Sequence, residues 1–165
     1  TDGTLFINKN KQYIMPHILT GDMFLNIRRV YAKLRTIHKQ ITSTGKLGND
    51  RVSVQLGLGS ASSIDNIKYN ENILFVNGQK TPLPPIVITH PYGINKNWNI
   101  QDTENMVDLS FTPISDNLRT LSIFILRSKH HTMYGHLNGV LLTKDGNSIT
   151  LKNFPAIATL QRIRF

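Results

Sequence analysis

The chain has 165 residues, 39% of them hydrophobic. That suffices for one domain with a real core, since a chain of this length buries about 70% of the surface it exposes when unfolded. With no cysteine it cannot carry disulfides, thiolate metal sites, iron–sulfur clusters or a cysteine nucleophile, and no apolar run approaches the roughly 18 residues of a membrane-spanning helix.

Along the chain, residues 5–7 and 12–15 are expected as short strands paired across Asn8-Lys9-Asn10-Lys11. Residues 24–41 fit two periods. Phe24, Ile27, Val30, Tyr31, Leu34, Ile37 and Ile41 recur at steps of three and four, the amphipathic-helix template, with a cap at residues 20–22 and an end at Gly45. The same stretch is dense in β-branched and aromatic residues, which favours strands. It also carries Arg28, Arg29, Lys33, Arg35 and Lys39 with no acid among them. Within a chain of net charge +9, that cluster reads either as a phosphate-contacting surface, on nucleic acid or lipid, or as a solvated face.

Further on, residues 51–58 alternate before the small-residue loop Gly57-Leu58-Gly59-Ser60-Ala61-Ser62-Ser63. Strands at 72–76 and 80–83 flank Asn77-Gly78, whose tolerance of positive φ makes it the strongest hairpin signal in the chain. Pro82, Pro84 and Pro85 then rule out a central strand directly after, so the chain must turn or follow an edge. Strands follow at 86–89, 98–101, 107–112, 120–128, 133–143 and 148–152, with a strand pair spanning 118–142 and one more strand near Phe165. The alternation of Met106-Val107-Asp108-Leu109-Ser110-Phe111-Thr112-Pro113 sets one face against a core and one against water. Asp145-Gly146-Asn147 makes a further turn. Strands separated only by turns predict an all-β antiparallel barrel or sandwich with at most one or two helices.

Four blocks in this order carry a family resemblance. The first is Val54-Gln55-Leu56-Gly57-Leu58-Gly59 followed by Glu71-Asn72-Ile73-Leu74-Phe75-Val76-Asn77-Gly78; the second is Trp98 with Val107-Asp108-Leu109-Ser110-Phe111-Thr112-Pro113. The third runs Arg127-Ser128-Lys129-His130-His131-Thr132-Met133-Tyr134-Gly135-His136-Leu137-Asn138-Gly139, and the fourth extends from Asp145-Gly146 to Arg164-Phe165. Together they resemble the C-terminal half of the family known as domain of unknown function 2804, over residues 51–165 and reaching back toward Arg29. The resemblance implies a β-rich, lipocalin-like architecture and tips residues 24–41 toward strands. It implies that residues 1–165 form one β-rich domain, the C-terminal half of a larger arrangement whose other half or a partner protein covers an exposed face. It brings no reaction with it. Lys129 and Thr159 stand where the family tends to carry acids, which suggests a scaffold that has lost chemistry and gained basic surface.

Among single residues, Glu71 beside Asn72 can orient a ligand or act as a base, or can be a turn with a solvated acid. Trp98 can line an apolar pocket or sit in the core. His131 reads as a core or pocket-wall histidine; His130 and His136 share the opposite strand face, so the three do not converge on a metal. No P-loop, nucleophile-elbow or HExxH pattern occurs, and no cofactor is indicated. The leading expectation is a β-scaffold binding an apolar or lipid-like small molecule with Glu71, Asn72, Trp98 and His131 at the pocket. A second is a non-catalytic basic subunit of a larger assembly touching RNA through Arg28, Arg29, Lys33, Arg35 and Lys39. A hydratase-like or isomerase-like enzyme stands third, and the compartment is open, with cytoplasm as the default.

Overall fold

A computed structural model describes residues 4–6, 12–14, 35–58 and 71–164, and within them the chain is eleven strands with no helix. β1 (Thr4–Phe6) and β2 (Gln12–Ile14) pair antiparallel, as the sequence predicts. The other nine are β3 (Arg35–Leu47), β4 (Asp50–Leu58), β5 (Ile73–Val76), β6 (Gln79–Pro82), β7 (Ile86–Thr89), β8 (Trp98–Asp102), β9 (Val107–Ile123), β10 (Leu126–Leu142) and β11 (Ser148–Arg164). They form one antiparallel sheet in the order β6-β5-β4-β3-β11-β10-β9-β8-β7.

That order forces the sheet to curl. β6 and β7 are its two opposite edges, yet only Leu83, Pro84 and Pro85 separate them in the chain. Four Cα steps reach about 15 Å at most, whereas a flat sheet of this width would part its edges by about 38 Å. The sheet therefore bends until β7 lies against β4, giving a half-barrel. Three prolines at this join fit the edge position, because none is asked to donate within an interior ladder.

The closed half holds the core. Trp98, Phe111, Leu137 and Phe154 stand opposite one another across four strands, and all are buried. Trp98 meets the Phe111 ring edge-on at 5.8 Å and donates its indole N–H to the Ile94 carbonyl at 2.8 Å, so its polar atom is satisfied. Glycines make room for these rings: a Cβ on Gly45 would lie 2.9 Å from Phe154 Cζ. Gly45 is thus a packing residue inside β3, not a helix end.

Over residues 35–41 the strand reading holds against the helix template; residues 24–34 lie outside the described residues. One reading is corrected. Residues 120–128 are not one strand, because β9 and β10 turn at Phe124 and Ile125. The β5–β6 hairpin turns where expected, with Asn77 at φ 51° and Gly78 at φ 84°. Its side chain secures the turn by accepting the Arg51 N–H at 2.9 Å and donating to Asp50 Oδ1 at 2.7 Å.

Pro113 and Pro155 sit inside interior strands, and the ladder adjusts around them. Register shifts between Tyr134 and Gly135 against β9, which leaves Ile114 as an extra residue beside Pro113. At this bulge a Cβ on Gly135 would collide with the Thr112 carbonyl oxygen and lie 2.8 Å from the Phe111 ring. Gly135→Ala is therefore expected to lower stability by about 3 kcal/mol, because a backbone carbonyl cannot step aside. Urea denaturation should show the midpoint falling with an unchanged slope.

Candidate functional site

Strand length divides the sheet in two. β9, β10 and β11 each run 17 residues, but β5 to β8 are only four or five residues long and flank one end of them. Beyond the closed half, β9, β10, β11 and the start of β3 extend as a sheet whose concave face continues the core face and, among the described residues, is left uncovered. Successive rows across β9, β10, β11 and β3 follow from the register. Asp116, Met133, Ala158 and Ile41 are followed by Leu118, His131, Leu160 and Lys39, then by Thr120, Lys129, Arg162 and Ile37, then by Ser122, Arg127, Arg164 and Arg35.

Along these rows apolar residues give way to cations. Met133, Ala158 and Ile41 are fully buried, whereas Arg127, Lys129, Arg162, Arg164 and Arg35 are exposed. Three arginines stand directly opposite one another on adjacent strands, with Lys129 opposite Arg162 one same-face row deeper. Like charges so placed destabilise a sheet unless something anionic lies between them. In β3, β10, β11 and β9 beyond Phe111, the only acid in the sequence is Asp116. Its carboxylate is engaged by His131, whose Nδ1 lies 2.9 Å and 3.0 Å from the two oxygens.

Lys39 marks the boundary. Its Nζ donates to the Ile88 carbonyl at 2.7 Å, tying β3 to β7 across the concavity. Burial, and then repulsion from Arg162, lower its pKa below the usual lysine value. His90, just after β7, packs its ring against Trp98 at a 46° tilt, with centroids 5.4 Å apart. Its pKa is lowered by burial, then by Lys39 and by Arg162, against an opposing backbone hydrogen bond.

The four expected ligand residues do not meet at one place. Trp98 belongs to the core row of Leu137, six residues along β10 from His131, about 20 Å away. Asn72, also buried, is a clasp: its Oδ1 accepts the Gly57 N–H at 2.8 Å and its Nδ2 donates to the Pro84 carbonyl at 2.9 Å. Glu71 sits beside it, with Oε2 3.4 Å from where a Cβ on Gly57 would stand. Of the five expected phosphate-contacting residues, Arg35 and Lys39 lie on the concave rows, while Arg28, Arg29 and Lys33 fall outside the described residues. Arg127, Lys129, Arg162 and Arg164 were not among the expected site residues. The signal for them is basic residues at i and i+2 within strands, which places each pair on one face.

A second concavity lies on the outer face, a groove of about 690 Å³ lined by Ile114, Tyr134, His136, Pro155 and Ile157 among others. Among the described residues no group of three or more His, Asp or Glu is placed to hold a metal ion, and no helix is long and apolar enough to cross a membrane.

Two outcomes follow from these contacts. Asn72→Ala leaves the Gly57 N–H and Pro84 carbonyl without partners and is expected to lower stability by about 3 kcal/mol, read by denaturant titration. Asn72→Asp should not restore it, since a carboxylate would then face the Pro84 oxygen. The second concerns pH. Because folding lowers the His90 pKa, the unfolded chain takes up this proton first as pH falls below 6.5. Wild type should therefore lose stability relative to His90→Gln between pH 7 and about 5, measured as thermal midpoints of both proteins.

The family model for domain of unknown function (DUF2804) matches residues 28–165. No curated protein and no solved structure matches the chain.

Proposed function

We propose that this chain, which belongs to the DUF2804 family, is a non-catalytic binding scaffold for an anionic amphiphile. The ligand is a lipid-like small molecule whose carboxylate or phosphate head rests on the concave arginine rows and whose tail lies along the apolar floor. In this reading the curled sheet acts as a lipocalin-like cup open at one end.

The observation that carries it is the row Arg127, Arg164 and Arg35 with Lys129 opposite Arg162 behind it. These cations have no acid among them, so an anionic head removes their mutual repulsion, and arginine is suited to forked contacts with carboxylate or phosphate. Apolar surface adjoins them: Leu118 is 51% exposed and Ile37 37% exposed on the same face, next to buried Leu160 and Met133. Cations beside exposed aliphatic surface match a ligand with both characters. Lys129 and Thr159, standing where the family resemblance places acids, support a binder over an enzyme.

The test compares a fluorescent fatty-acid anion with its neutral alcohol counterpart. The anion is expected to bind roughly tenfold or more tightly, and Arg127→Gln with Arg164→Gln to remove that preference. Binding should also raise the His90 pKa in an NMR titration, because the nearby cations become neutralised. Equal affinity for anion and alcohol, or binding of neither, overturns the reading. Steeply salt-dependent binding of single-stranded RNA at Arg35 and Lys39, without amphiphile binding, replaces it with a nucleic-acid scaffold.

A further inference from the structure

The β9–β10 hairpin ends in a turn that no hairpin rule favours. Two-residue turns are usually built from Asn, Asp and Gly, because the backbone needs positive φ. Here the turn is Phe124-Ile125, flanked by Ile123 and Leu126. Phe124 has φ 48°, a conformation that is an outlier for a bulky side chain. Its side chain gains nothing from the fold in return: Phe124 is 99% exposed, Ile125 78% and Ile123 49%. Strain and apolar exposure together at one tip point to a role outside the folded chain.

The surroundings of the tip identify the partner's charge. One row behind Ile123 and Leu126 come Ser122, Arg127, Arg164 and Arg35, and Lys129 and Arg162 follow on the same face. From Asn117 to Lys144 the sequence has no Asp or Glu. A protruding apolar cap of four residues with a cationic collar about 7 Å behind it matches the layering of an anionic bilayer, with acyl chains beneath phosphate headgroups. A second copy fits less well, because it would bring the same arginines together.

We propose that this hairpin docks the protein on an anionic phospholipid membrane. Ile123, Phe124, Ile125 and Leu126 enter the headgroup and acyl boundary, and Arg127, Arg164 and Arg35 engage lipid phosphates. The inference goes beyond the ligand reading: it shares that reading's arginine row but rests on the tip, which does not form the ligand floor.

The full chain is mixed with vesicles of phosphatidylcholine alone or containing phosphatidylserine, and sedimented. Wild type is expected to pellet with the phosphatidylserine vesicles and to be released by salt. Changing Phe124→Asn together with Ile125→Gly gives the tip the turn found at residues 77–78. This variant should weaken vesicle binding by at least roughly tenfold. It should also raise the thermal midpoint, because the strain is relieved, and leave binding of the soluble fatty-acid anion unchanged. The one native tryptophan, Trp98, is buried, so Phe124→Trp adds a reporter whose emission should shift to the blue on anionic vesicles. No pelleting, pelleting equal for the tip variant, or an unshifted Phe124→Trp emission each overturns the proposal. So does tip-dependent self-association without vesicles, which would make the occupant a second copy.

Discussion

The three residues between β6 and β7 hold the two edges of a nine-stranded sheet within reach of each other, and the remaining architecture follows from that tether. Asn72 reinforces it from two sides, with its side chain on Gly57 and Pro84 and its carbonyl accepting the Leu83 N–H at 3.0 Å. Curling brings β7 over β4 and encloses a dry interior around Trp98. It can do so only along the length that the short strands cover. Among the described residues, nothing covers the concave face over the remaining length of β9, β10 and β11.

The passage from dry to wet is sharp. On β3 it is crossed between Ile41, fully buried, and Lys39, whose ammonium reaches a backbone carbonyl of β7. On β11 it falls between Leu160 and Arg162, and on β10 between Met133 and His131. The lowered pKa values of Lys39 and His90 report the same boundary: both groups are partly withdrawn from water and both feel Arg162. An anion at the arginine rows is therefore coupled by charge to Lys39 and His90 at this boundary.

Some of this could be read from the chain and some could not. Asn77-Gly78 announced its hairpin because its residues supply the required backbone without strain. Phe124-Ile125 concealed its turn, since both residues favour extended strands and neither carries a turn signal. Residues 35–41 showed a helical period because Ile37 and Ile41 are four apart, a spacing that a strand also places on one face. The cationic site was hidden for a different reason. Arg127, Arg164 and Arg35 are distant in sequence, and only the antiparallel register sets them side by side. Asn72 was visible as an unusual polar residue at a strand start, but its role as a clasp depends on Pro84, in the join after β6, being brought beside it.

β8 meets β9 only over residues 108–111. Farther along, among the described residues, the outward N–H and C=O groups of β9 have no strand beside them, and such a border invites another chain to continue the ladder. Arg119 lies on this border, with the arginine rows behind it, so like charge opposes such pairing between copies. Charge here thus acts as a guard against fibre-like growth. Solutions rich in multivalent anions would lower that guard before they disturbed any buried contact, so this molecule should precipitate from phosphate-rich buffers while still folded.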